Sequence, residues 1–309
     1  MGATVKPWVG CLLVLGACSA GGGPPVGSPP RRETAAAPAT PFRDRAAALV
    51  GMALEHGQAF AILSSLCTTA PHRLAGSAGA AQAVAWGRQQ MQRLGLQNVR
   101  LEKCMVPRWV RGPVARLRVA PSGREFAITA LGNSVGTPAG GIRGRVLMVR
   151  SFEQLRTLGE QARGRIVFLN RPMNPRLLNT FSAYGGAVDQ RSSGPVVTAE
   201  VGGIATLVRS MTTRLDDNPH TGATGYRNGV PRVPAAAIST KGAEALAALL
   251  EAQPDLELEL ELSCRHEPDV ESANVVGDLP GTARPDEIVL IGGHLDCWDI
   301  GQGAHDDGA

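Results

Sequence analysis

The stretch GGHLDCWDIGQGAHDDGA, residues 292–309, sets one imidazole, His294, ahead of four carboxylates, Asp296, Asp299, Asp306 and Asp307. A neutral imidazole is a good zinc ligand, and carboxylates supply oxygen ligands that can bridge two metal ions. Asp296 has the reach to orient His294 and fix its tautomer. Alone, a His-x-Asp pair reads as a turn or a satisfied histidine. The second element changes that reading. Asp306 and Asp307 are adjacent in a glycine-rich loop twelve residues beyond His294, where burial without a cation carries a severe desolvation cost that metal binding relieves.

Such residues need elements to hold them. Ile288 to Ile291 are apolar on both faces and lead into Gly292-Gly293. The pattern predicts a strand that delivers His294 and Asp296 at its carboxyl end, where open α/β sheets place their sites. SANVVGDLPG (272–281) and DEIVLIGGH (286–294) read as neighbouring strands of a buried sheet, separated by a Pro-Gly turn. Upstream, helical spacing runs from Phe42 to Cys67 and again from Gly79 to Leu94, before Gly95, a residue suited to the turn past a helix end. NVRLEKCMV (98–106) is a candidate strand.

Near residue 112 the pattern changes to short alternating strands and helices. RVLMVR (145–150) predicts a strand, and Ser151 with Gln154 makes a capping box for a helix over 152–163 that Gly164 stops. RIVFLN (165–170), IATLVR (204–209) and VPAAAIS (233–239) follow as strands, and Thr240 opens a helix through Ala252. DLELELEL (255–262) alternates strictly, which predicts a strand with Leu inward and Glu in water. Nothing in 113–266 assembles a catalytic set. The organisation expected is an insertion, in which 42–112 and 267–309 belong to one domain and 113–266 lodges between them.

The 309 residues are 43% hydrophobic, with 38 Gly and 22 Pro, as suits a loop-rich α/β protein. The net charge of +4 comes from scattered Arg, with Lys only at Lys6, Lys103 and Lys241. No basic stripe interleaved with aromatics is present, so a nucleic-acid partner is not expected. Lys6, the apolar stretch PWVGCLLVLGA and Cys18 read as an export signal too short to span a bilayer. Leu15-Gly16-Ala17-Cys18 resembles a bacterial lipobox, with an ordinary secretory signal as the plainer reading. Residues 1–18 are then a lipoprotein-type signal and 19–41 a Gly, Pro, Ser and Ala tether. The membrane would be reached only through a lipid on Cys18, in the cell envelope. Export puts Cys67, Cys104, Cys264 and Cys297 in an oxidising compartment with three connectivities open, and their spacing fits no zinc-ribbon pattern. Cys104 and Cys264 flank the insertion, so a disulfide at its neck is an expectation to test.

GGHLDCWDIGQGAHDDGA resembles the first half of the metal site of the M28 zinc metallopeptidases. HRLAGSAGA (72–80), PHTG (219–222), GVPRVPAAAIS (229–239) and SANVVGDLPG (272–281) extend the likeness along almost all of the chain after the tether. The resemblance implies an α/β fold, with an incomplete M28-type peptidase sheet domain and an inserted protease-associated domain. It implies two Zn2+ per complete site, with His294 binding one, Asp306 bridging both, and Asp296 holding His294 as a catalytic residue that binds no metal. Asp307 would neighbour the bridge.

The implied activity is zinc-dependent hydrolysis of short peptides, of dipeptidase or carboxypeptidase type, and a homodimer is compatible with it. In that family the general-base glutamate and the other ligands follow the Asp pair. The chain is therefore expected to be C-terminally truncated, to hold half a site and to be inactive by itself. His72 and His220 read as loop residues, Cys297 as packing and Trp86 as core. Two rival readings share the fold: a receptor-like binding protein without catalysis, and a single-zinc transferase.

Overall fold

The structure is a computed structural model that describes residues 42–306. The expected signal, the expected anchor site at Cys18, the expected tether and Asp307 lie outside the described residues.

The helical spacing from Phe42 to Cys67 gives two helices rather than one, α1 (Arg43–His56) and α2 (Ala59–Thr69). The interruption falls at Gly57, and glycine costs a helix interior about 1 kcal/mol relative to alanine. The chain divides at the same point into two units, Met1–His56 and Gly57–Ala309. α1 buries none of its residues, and no single helix among the described residues is long and apolar enough to cross a membrane.

In the second unit, α3 (Ala78–Arg93) starts at Ser77, whose hydroxyl accepts from the Ala80 N–H. It ends before Gly95, which takes φ +79°, the left-handed conformation that glycine tolerates best. β1 (Gln97–Val110) then runs past the span that the sequence marks. Its antiparallel partner is the last strand, β10 (Arg265–Asp278), with Cys104 opposite Ser272 and Val110 opposite Arg265. Register breaks between Val106 and Arg108, where Pro107 has no N–H to give the ladder.

Every strand between β1 and β10 belongs to a second sheet. These are β2 (Ala115–Ala120), β3 (Glu125–Phe126), β4 (Ile128–Ala130), β5 (Ile142–Val149), β6 (Ile166–Leu169), β7 (Ala205–Arg209), β8 (Ala235–Ile238) and β9 (Glu257–Leu262). Their spatial order is β3-β2-β9-β5-β6-β7-β8-β4. β5 to β8 pair in parallel, and the rest are antiparallel. The end strands β3 and β4 are separated in the chain by Ala127 alone, so the sheet must curl until its two edges nearly meet.

The helices of this segment are α4 (Phe152–Leu158), α5 (Thr180–Gly185), α6 (Asp189–Ser192), α7 (Gly194–Glu200) and α8 (Thr240–Ala252). Half of the expected capping box forms: Ser151 Oγ accepts from the Gln154 N–H at 3.0 Å, while Gln154 Oε1 accepts at 2.8 Å from the Arg150 N–H, one residue before the N-cap. The helix it starts is shorter than the expected 152–163, because the chain tightens at Gly159 into a 3-10 turn to Ala162. Alternation splits β6 between two cores, with Ile166 and Phe168 against α8 and Val167 and Leu169 against α4 and α7. In β9, Leu258, Leu260 and Leu262 are buried. Glu257, Glu259 and Glu261 meet Arg143, Arg118 and Arg116 across the wet face.

Two expectations fail. Ile288–Ile291 are not a strand: they form no ladder and stand 85–90% exposed. A strand exists only when a neighbour takes its N–H and C=O groups, and no described strand lies beside them. Of the two runs expected side by side, SANVVGDLPG instead completes β10 against β1. The neck disulfide is also absent, since all four described cysteines are free. Cys104 lies opposite Ser272 and Cys264 precedes the Val110–Arg265 pair, which separates them by about 26 Å along β10 at about 3.3 Å per residue, far beyond the limit of about 7 Å for a bridge.

Candidate metal centre

After the exposed run, the chain rejoins the folded body at Leu295, which packs against a cluster of Leu66, Ala70 and Ala83 beside Trp86. Trp86 is half-buried, and its indole N–H donates to Ser65 Oγ at 3.0 Å. The loop beyond Leu295 is gripped from two sides.

On one side stands Arg73, fully buried just before α3. Its Nε donates to the Leu295 carbonyl at 2.6 Å, its Nη1 to that of Gln302 at 2.7 Å and its Nη2 to that of Gly303 at 2.7 Å. The Cys297 N–H returns a bond to the Arg73 carbonyl at 3.1 Å. Cys297 is buried and packs under Gly303, where a Cβ would lie 2.3 Å from the Cys297 Cβ. Gly303 also has φ +63°. Only glycine meets both demands.

On the other side stands Arg111, in the link from β1 to β2. Its guanidinium clasps Asp299, with Nη2 to Oδ1 at 2.6 Å and Nε to Oδ2 at 2.9 Å. It also donates to Thr129 Oγ1, the Ala130 carbonyl and Thr221 Oγ1, and lies 4.9 Å over the Trp109 ring. The Trp298 ring crowds Gly132, where a Cβ would collide with its Cη2–Cζ3 edge. Asp299 is therefore the counterion of Arg111.

Between these grips, His294 Nδ1 lies 2.9 Å from the Asp296 carbonyl and 3.2 Å from its Oδ1. Its Nε2 faces Asp306 Oδ1 at 3.4 Å. With Nδ1–H donating to Asp296, Nε2 carries the lone pair, which is the tautomer a metal needs. Nitrogen and oxygen ligands on one tetrahedral zinc stand about 3.4 Å apart, given bonds of 2.0–2.2 Å. The donor pair fits zinc in type and spacing. No third His, Cys, Asp or Glu joins them among the described residues.

His72 sits in a tight loop at φ +55°, and the His220 N–H donates to Ser210 Oγ at 2.9 Å. Neither joins a group of three or more His, Cys, Asp or Glu among the described residues. Sequence reasoning passed over Arg73, Arg111 and Thr221, although Arg73 and Thr221 lie inside HRLAGSAGA and PHTG. Nothing in a lone arginine's neighbours signals that it will be buried against a loop 188 or more residues away.

The sequence profile of peptidase family M28 matches residues 274–309, the stretch that carries this loop. Carboxypeptidase Q of Mus musculus is 36% identical over 270 residues, covering 86% of this chain and 56% of its own length. These likenesses make the chain similar to peptidase family M28. It is also 35% identical to carboxypeptidase Q of Homo sapiens, covering 86% of itself and 55% of that protein. It thus spans about half the length of the curated relatives it matches. Among solved structures, a peptidase M28 precursor from Shewanella amazonensis superposes with TM-score 0.81 and 34% identity over 86% of this chain and 60% of that one. A zinc aminopeptidase from Bacillus subtilis superposes at TM-score 0.56 with 20% identity, over 81% and 54%, which shows a shared fold. The α/β class and its M28 character stand on these likenesses.

Proposed function

We propose that the protein hydrolyses short peptides at a co-catalytic two-zinc centre, to which this chain contributes His294 and Asp306. The observation that carries this reading is His294 itself, with Nδ1 tied to Asp296 and Nε2 facing Asp306 at 3.4 Å.

In this reading His294 binds one zinc through Nε2, and Asp296 fixes its tautomer and raises its basicity without touching metal. Asp306 would help to hold both ions. Bound zinc would supply a water of lowered pKa and polarise the scissile carbonyl. A catalytic zinc takes three protein ligands plus water, so two donors account for part of a centre. No described glutamate stands beside them as general base. Residues 34–309 alone are accordingly proposed to bind zinc weakly and to leave peptides uncut.

The resemblance further supports reading 113–266 as an inserted protease-associated domain lodged between the two limbs of the peptidase domain. β1 and β10, paired along their length, form the stem on which that segment would stand. Export, with a lipid on Cys18, is proposed from the N-terminal motif.

The test is dipeptide turnover by a form extended to the relatives' length, before and after chelation and zinc readdition, with His294→Ala beside it. Turnover indifferent to metal removal sinks the zinc mechanism. Tight stoichiometric zinc with turnover above background in residues 34–309 sinks the part-site reading.

A further inference from the structure

We infer that Arg73 is the positioning residue of this centre, fixing the distance between His294 and Asp306 through the loop backbone; the inference rests on the metal-site reading above. The two side chains cannot set that distance themselves. His294 is 52% and Asp306 72% exposed, and exposed ionic contacts hold geometry weakly. The spacing has to come from the main chain beneath them.

Arg73 touches that main chain on both limbs. Leu295, between His294 and Asp296, gives its carbonyl to Nε, while Gln302 and Gly303, just ahead of Asp306, give theirs to Nη1 and Nη2. The guanidinium is a rigid planar fork, so the separation of its nitrogens becomes the separation of the limbs. The Cys297 N–H bond to the Arg73 carbonyl closes the frame. None of these bonds reaches the His294 or Asp306 side chain, so Arg73 acts through the loop rather than as a catalytic residue.

Its partners are unusual for a buried arginine. Arg209, 8% exposed, has Glu244 at 2.7 Å, and Arg111 has Asp299. Arg73, fully buried, has carbonyls as its described partners and no carboxylate. A buried cation without a counterion is costly. A loop that only needed anchoring would be held by neutral donors at less expense. Placing this charge beneath His294 and Asp306 makes sense where the loop's geometry must be held firmly.

The experiment compares the full chain with Arg73→Met, Arg73→Lys and Gly303→Ala by hydrogen exchange, and measures zinc affinity against a competing chelator. Gly303→Ala leaves Arg73 in place and displaces the same limb by crowding Cys297 and Nη1, so it tests the idea even where removing Arg73 unfolds the chain. Exchange over 294–306 should rise at least tenfold in all three, with β5 to β8 unchanged, and the zinc Kd should weaken at least tenfold. Millimolar guanidinium added to Arg73→Ala should restore most of the affinity, which an unspecific loss of stability would not permit. In a peptide-cleaving extended form, kcat should fall with KM within twofold. Exchange and affinity both within twofold of the parent in Arg73→Lys, or in Gly303→Ala, overturn the inference. A parent chain that takes up no zinc overturns the metal reading instead, and loop exchange then decides the role of Arg73 by itself.

Discussion

Arg111 and Asp299 form a two-pronged ion pair between the link into the curled sheet and the loop after His294, with Nη2 to Oδ1 at 2.6 Å and Nε to Oδ2 at 2.9 Å. The side chains are 10% and 24% exposed, so removing one partner strands a largely buried charge. Asp299→Asn should lower unfolding free energy by about 2–4 kcal/mol, less than for a fully buried pair because of the residual exposure. Urea titrations of Asp299→Asn, Arg111→Met and the double variant check this. Simple additivity of the two losses would show that the pair is not coupled.

The sheet offers a sharper contrast between neighbours. Leu260 is 1% exposed in β9, so Leu260→Ala should cost about 2–5 kcal/mol. Glu259, facing water beside Arg118 and Arg143, should cost at most about 1 kcal/mol when changed to Gln. Equal losses would contradict the inward Leu and outward Glu register.

The cysteines test the disulfide correction. All four described cysteines are free, so Cys67, Cys104, Cys264 and Cys297 should each react with a thiol reagent in denaturant without reductant. In the native chain Cys264 and Cys297, both buried, should label more slowly than Cys104. A peptide mass joining Cys104 to Cys264 would contradict the β1–β10 register.

The same cysteine gives a pH dependence. Burial pushes the Cys264 thiol above its ordinary value, against smaller opposing effects from Ser134 and Arg111, and burial likewise raises the Tyr226 hydroxyl. Each folded value lies above the unfolded one, so folding favours the protonated forms. Their stabilisation is whole below about pH 8.5, the ordinary thiol value, and declines as pH rises toward the folded values. Urea midpoints should therefore fall from pH 8 upward, and Cys264→Ala should flatten the early part of that fall. A midpoint that climbs over this range would reverse the sign.

Ile288, Val289, Leu290 and Ile291 stand 85–90% exposed, a contiguous apolar run of the kind that drives association. Val289→Lys with Ile291→Lys should reduce concentration-dependent self-association of the 309-residue chain, read by sedimentation velocity. Unchanged association would place its cause elsewhere.

Some of this protein is written in its local sequence. Ser151 with Gln154 caps α4, Thr240 to Ala252 form α8 as the spacing predicts, and the Leu-Glu alternation becomes β9, because each depends on groups only a few residues apart. His294 and Asp296 also come together locally, two residues from each other. What the local pattern could not decide depends on distant partners. Ile288–Ile291 have strand composition but no described neighbour to bond, so composition alone predicted an element that is absent. Phe42 to Cys67 keep helical spacing through a break at Gly57, since apolar periodicity is blind to a glycine's backbone freedom. Cys104 and Cys264 flank the insertion in sequence, yet their separation is set by the register of β1 on β10. Arg73 and Arg111 look like ordinary surface arginines until topology brings the 294–306 loop to them. A guanidinium's burial and its choice of carbonyl or carboxylate are fixed by long-range backbone placement, which tertiary structure alone supplies.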